Sequence, residues 1–173
     1  MNKETYIKLM TYLQYHGRTR KALIFTERAL EILVIISYGG LLIYTVYTSA
    51  GFALLSAVTC LLALYICTLL RVAFNRRRPY EVYDTMPALD KDTKGKSFPS
   101  RHLTSIAVIA VNLLAINIPL GIVFLLLTAV MGTLRVLLGV HFIKDVVVGA
   151  LIGIVIGILG MYVAPIFIGN MIY

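Results

Sequence analysis

Two long apolar runs, Ala29 to Thr48 and Phe52 to about Ala73, are each close to the roughly 20 residues that cross the hydrocarbon of a bilayer. Three more follow: Leu103 to about Asn117, a stretch ending near Val140, and Val146 to about Ile168. So much apolar length cannot be hidden in a soluble core. Of the 173 residues, 60% are hydrophobic and only 14% are charged, against about 25% charged in ordinary soluble domains. In lipid, a helix satisfies every backbone hydrogen bond internally. The expected fold is therefore an all-α integral membrane protein, a bundle of about five transmembrane helices.

Ahead of the first run, residues 1–28 mix Tyr6, Ile7, Leu9, Met10, Tyr12, Leu13 and Tyr15 with Lys3, Lys8, Arg18, Arg20, Lys21 and Arg28. That mixture predicts an N-terminal amphipathic interfacial helix and then a basic anchor, with the membrane domain occupying 29–173. The first apolar run starts only near Ala29 and is long enough to span, so a cleavable signal peptide is not expected. The net charge of +8 could suit nucleic acid. The basic residues, however, lie between apolar spans with no polar domain to carry them, so the expected partners are lipid headgroups and phosphate, not nucleic acid. Cys60 and Cys67, seven apart in an apolar run, are expected as packed or lipid-facing thiols and not as a disulfide or metal pair. His16 is given no chemical role.

Five spans sort the connections onto two faces. The N-terminal arm, the polar loop 76–99 and the short connection Gly139–Lys144 fall on one face. Ser49–Gly51, Asn117–Pro119 and the tail from Gly169 fall on the other and carry no Lys or Arg. Within the long loop, Gly95-Lys96-Ser97 resembles the end of a P-loop, but Asp90 stands where the leading glycine belongs and no strand precedes it, so that reading is discarded. Gly149, Gly153 and Gly157 recur every four residues and let a neighbouring helix approach closely. The neighbour is either a helix of the same chain or, through this face, a second copy in a homodimer.

Three groups of polar residues converge on the basic face. Arg71 and Arg78 are two helical turns apart and can offer planar forks to phosphate oxygens, with Pro79 fixing how Arg78 leaves the helix. Ser100, as a helix N-cap, and the amides behind it form an anion site at a positive helix end, and His102 in that first turn can give up a proton. Arg135, His141 and Asp145 close the set. With a helix starting near His141, Asp145 four residues on holds one ring nitrogen while the other can attack phosphorus, and Arg135 binds the anion.

Taken together, R-x6-R-P at 71–79, P-S-R-H at 99–102 and R-x5-H-x3-D at 135–145 resemble the three-part signature of the type 2 phosphatidic acid phosphatase superfamily. That group holds integral-membrane lipid phosphate phosphatases and, on soluble scaffolds, acid phosphatases and vanadium haloperoxidases. The resemblance covers about residues 51 to 168. It implies a two-step hydrolysis that needs no metal or other cofactor. His141 forms a phosphohistidine oriented by Asp145, and His102 protonates the leaving group. Arg71, Arg78, Ser100 and Arg135 stabilise the charge on the equatorial oxygens, and Arg101 lies on the phosphate or the headgroup. The implied substrate is a lipid phosphate or pyrophosphate of the phosphatidylglycerophosphate, undecaprenyl pyrophosphate or phosphatidic acid class, in a bacterial plasma membrane. A phosphotransferase with an alcohol acceptor and a non-catalytic binder of anionic lipid are the alternatives.

Several positions depart from the family pattern. Arg71 replaces the usual Lys, Arg101 replaces the usual Gly, and Leu134 replaces the usual Ser before the arginine. Family members also tend to have six spans. They commonly face the site outward, whereas the clustered basic residues would place it inside by the positive-inside rule. The outward orientation is favoured.

Overall fold

The computed structural model describes residues 2–89 and 93–168. Asp90, Lys91, Asp92 and the tail from Gly169 lie outside these residues. The order is α1 (Lys3–Tyr15), α2 (Gly17–Thr48), α3 (Ala50–Phe74), α4 (Pro79–Tyr83), α5 (Arg101–Leu114), α6 (Ile118–Leu137) and α7 (Ile143–Ile158). A π-helical turn at Leu159–Val163 and α8 (Ala164–Ile168) complete it. No strand occurs among the described residues.

Four stretches are long and apolar enough to cross a membrane, namely α2, α3 run on through α4, α6, and α7 run on through the π-turn. Their outward faces carry Ile32, Ile36, Ile43, Leu54, Leu61 and Leu69 exposed, which suits a lipid surround and not water. Each boundary has a local cause. The Ser49 hydroxyl accepts from the Phe52 amide and opens α3, and the Asn117 side chain accepts from the Leu120 amide and opens α6. Asn75, left-handed at φ 37°, ends α3.

The third expected span, Leu103 to about Asn117, is not like the others. α5 has 14 residues, roughly 21 Å at helical rise, too short for the hydrocarbon on its own. It buries ten of them, Leu103, Thr104 and Ile106 through Leu113, among α3, α6 and α7. A helix surrounded by protein has no bilayer thickness to match. In the last turn of α5, Asn112 donates to the Ser56 hydroxyl at 2.8 Å, a polar tie to α3 of the kind membrane bundles use.

Residues 17–28, expected as an anchor separate from the first span, are the opening turns of α2. At 32 residues it is roughly 48 Å long, so those turns extend beyond an apolar core of about 30 Å. α1 does more than lie on a surface. Tyr6, Met10 and Leu13 are buried on the loop before His141, and the Tyr6 hydroxyl donates to the Gly139 carbonyl at 3.0 Å.

The glycine stripe of α7 is occupied by α5 of the same chain. A Cβ on Gly149 would lie 2.5 Å from the Ser100 carbonyl oxygen, and one on Gly153 would lie 2.4 Å from that of Thr104. The Thr104 hydroxyl donates to the Gly149 carbonyl at 2.9 Å across this seam. Of the two neighbours the stripe allows, the one present is a helix of the same chain: the close approach that Gly149, Gly153 and Gly157 permit is spent on α5, and the alternative, a homodimer through this face, is not supported.

Candidate active site

The site forms where α3, α5, α6 and α7 end on one face. Arg71 is buried in the last turn of α3, and its Nη1 donates to the Pro99 carbonyl at 2.9 Å. That bond pulls the end of α3 against the segment that opens α5. Arg78, also buried, precedes Pro79 at the start of α4. Its guanidinium donates to the carbonyls of Gly95 (3.2 Å) and Val140 (3.4 Å), the second lying beside His141. Glu81 fixes the loop from below, accepting from the amides of Arg78 and Gly95.

Ser100 occupies the N-cap position of α5 but makes no capping bond. Its amide is committed instead to the main-chain carbonyl of Asp145 at 2.9 Å, and its hydroxyl is buried without a protein partner among the described residues. A buried hydroxyl left this way costs free energy unless something accepts or donates to it. The first amides of α5 have no carbonyl one turn back within the helix, so hydroxyl, amides and positive helix end share one spot.

His141 is 2% exposed in the connection between α6 and α7. Helix α7 begins two residues later, at Ile143, yet Asp145 still reaches back toward the imidazole. The separation is 3.7 Å from Nδ1 to Oδ2, longer than a hydrogen bond. Between them stands Ser97, fully buried, whose hydroxyl donates to Asp145 Oδ2 at 2.5 Å and lies 3.5 Å from His141 Nδ1. The same carboxylate accepts from the Phe142 amide at 3.1 Å, capping α7. Arg76 approaches its other oxygen at 3.8 Å.

Burial pushes the His141 imidazole down from its ordinary 6.5 to about 4, with the positive charges of Arg78 and Arg135 acting the same way and Asp145 only partly opposing them. At neutral pH the ring is therefore uncharged and keeps a lone pair, which a nucleophile needs.

Arg135, in the last turn of α6, is buried against Glu27 of α2, with 2.5 Å between Nη2 and Oε1. Glu31 lies 3.9 Å from the same nitrogen, and its other oxygen is 3.1 Å from His102 Nε2. His102 thus joins the cluster through Glu31 and Arg135, and Arg135 in turn acts on His141. Arg101, exposed at the start of α5, stands close enough to Arg71 to repel it. Together with Glu31 and His102 it forms the polar end of a cavity of about 350 Å³ whose remaining walls include Val34, Tyr38, Leu64 and Ile106.

All eight residues singled out in the sequence lie at this face. Reading the sequence missed Ser97, Glu27, Glu31 and Arg76. The two glutamates carried a signal, since acids four apart at the head of an apolar run are costly without partners. Nothing in the pattern around Ser97 marks it.

Residues 52–167 match the PAP2 superfamily. The fold is similar to the crystal structure of Aquifex aeolicus LpxE, at 24% identity and a TM-score of 0.71 over 92% of this chain and 93% of that one. It is also similar to the first transmembrane PAP2 type phosphatidylglycerolphosphate phosphatase from Bacillus subtilis, at 20% identity and a TM-score of 0.61 over 96% and 95%. A comparison with curated protein sequences finds no match. Motif residues gathered at one helix-bundle face, a family match over most of the length and two such likenesses of fold lead to one statement: this chain belongs to the PAP2 superfamily, as an integral-membrane member with the PAP2 phosphatase fold.

Proposed function

We propose that the protein is a metal-independent lipid phosphatase working through a phosphohistidine. The observation that carries this is a buried, uncharged His141 imidazole with the Arg78 and Arg135 guanidinium groups acting on it and the Asp145 carboxylate behind it. His141 Nε2 attacks phosphorus and the bond to the leaving oxygen breaks. Asp145, with Ser97, stabilises the positive charge that develops at Nδ1. His102 hands the leaving oxygen its proton, then takes one from the water that hydrolyses the phosphohistidine. Arg71, Arg78, Arg135 and the Ser100 hydroxyl stabilise the transferring group, whose charge spreads over its equatorial oxygens. Arg101 meets the headgroup.

A lipid substrate is supported by the cavity that runs from Arg101 and His102 down apolar walls. The substrate is a lipid phosphate or pyrophosphate, with phosphatidylglycerophosphate, undecaprenyl pyrophosphate and phosphatidic acid as the classes to try. Both similar solved structures come from bacteria, which supports a bacterial plasma membrane as the location.

The test is phosphate release from that panel by purified protein in detergent, comparing the native chain with His141→Ala and His102→Ala. Turnover should fall at least about a thousand-fold in His141→Ala, survive EDTA, and be inhibited by vanadate as a mimic of the transferring phosphoryl group. Full turnover in His141→Ala overturns the reading.

A further inference from the structure

The residues that match the superfamily begin at 52, so α2 lies outside the match. Two of its side chains nonetheless enter the site. Glu27 and Glu31 are one helical turn apart and share a face, in a run that otherwise holds Arg28 and the apolar Ala29, Leu30, Ile32, Leu33 and Val34. Carboxylates there are expensive unless something charged receives them. Their receivers are two groups of the proposed reaction. Glu27 pairs with Arg135 while both are buried, leaving the Arg135 Nε buried without a protein partner among the described residues. Glu31 pairs with His102 Nε2 at 3.1 Å and stands 3.9 Å from Arg135. One helix face therefore holds both the cation and the imidazole that the proposed reaction assigns to the phosphate and to the leaving group.

We propose that Glu31 is a positioning residue for proton delivery, holding His102 by Nε2 so that the ring is charged and correctly turned when the leaving oxygen departs. The proposal rests on the phosphatase reading above. During transfer the His102 imidazolium keeps its Nε2–H on Glu31 and loses its Nδ1 proton to the leaving alkoxide. The neutral ring then regains a proton from the attacking water, so the cycle closes without net change. Glu27 does the parallel task for Arg135, fixing one edge of the guanidinium so that Nε is turned toward the phosphate. A carboxylate at the cavity wall also repels an anionic substrate. Its benefit must therefore lie in turnover and not in binding.

That asymmetry gives a test which a merely structural ion pair would not pass. Glu31→Gln and the native protein are assayed in one detergent on two probes, a dialkylglycerol phosphate, whose alkoxide needs a proton, and p-nitrophenyl phosphate, whose phenolate leaves without one. Read as leaving-group release in the first turnover, before the hydrolysis step that uses His102 as base on either probe, the expected loss is roughly 10- to 100-fold in rate on the alkyl phosphate, with KM unchanged or lower, and little change on the aryl phosphate. His102→Ala should show the same selectivity, and Glu31→Gln added to it should cost little more. Should Glu31→Gln not accumulate, Glu31→Asp carries the same comparison with a smaller expected loss. Equal losses on both probes, a raised KM as the main effect, or losses that add to those of His102→Ala overturn the proposal. If His141→Ala turns over normally, the phosphatase reading falls first and takes this with it.

Discussion

α5 has 14 residues and buries ten of them, whereas α2 runs for 32 and buries only Glu27, Val34, Leu41 and Thr45. One is wrapped in protein and the other mostly in lipid, yet both deliver side chains to the same few ångströms. α5 contributes its start, Ser100, Arg101 and His102, pinned where the Ser100 amide bonds the Asp145 carbonyl of α7. α2 contributes two carboxylates from the side of a long helix. A site can thus be built from the most constrained element and from one of the least constrained, provided the latter reaches it through charge. Packing fixes α5, because backbones touch along the glycine seam. Ion pairs tie α2 to the site, while Val34 and Leu41 seat it against the core.

The comparison is broken most severely at the seam. Gly149→Val puts a side chain against the Ser100 carbonyl, where a Cβ would already lie 2.5 Å away. Overpacking costs about 1–3 kcal/mol when neighbours can move, and a backbone carbonyl moves least, so the variant should be lost as monodisperse protein on size-exclusion in detergent. A normal elution profile would mean the seam is looser than the packing implies.

The second effect is one of pH and belongs to the buried side of the comparison. The folded protein holds His141 near 4 against an ordinary 6.5, so the unfolded chain binds the proton more readily. The stability tied to its neutral form is complete above about pH 6.5 and drains away as pH falls toward 4, by up to roughly 1.4 kcal/mol per pH unit. Thermal midpoints across that window should decline with acid, and less steeply in His141→Asn. Parallel slopes would show that the imidazole is not held uncharged.

A smaller loss separates Ser97 from the loop around it. Ser97→Ala removes the hydroxyl donor from a buried carboxylate, worth about 1–3 kcal/mol, and should lower kcat while leaving the elution profile intact. An unaltered kcat would leave Asp145 alone behind His141. Smallest of all is Ile36→Ala on the lipid side of α2. Ile36 is 67% exposed, and the change should stay within about 0.5 kcal/mol in stability. A larger drop would mean that Ile36 is covered by protein and not by lipid.

What the sequence made legible follows the same division. That the guanidinium, serine, histidine and aspartate positions would gather at one face was readable because their spacings match the family's three-part pattern. The membrane class was readable because apolar length has one physical meaning. The shortness of α5 was not, since hydropathy registers an apolar residue identically whether lipid or protein covers it. Nor was the partner of the glycine stripe, because small residues announce close approach without naming what approaches. Glu27 and Glu31 looked like span edges, as their partners lie more than 70 positions away at His102 and Arg135. Ser97 was hidden for a different reason: its importance comes from the fold of a loop that carries no period.

The hydrogen bond from Tyr6 to the Gly139 carbonyl has a practical side. Gly139 sits two residues before His141 in a left-handed turn with φ 75°, so the opening helix serves as the floor beneath the His141 loop. Trimming the chain's beginning, or crowding it with a fusion, would therefore unsettle chemistry more than a hundred positions downstream while sparing every motif by which the enzyme would be recognised.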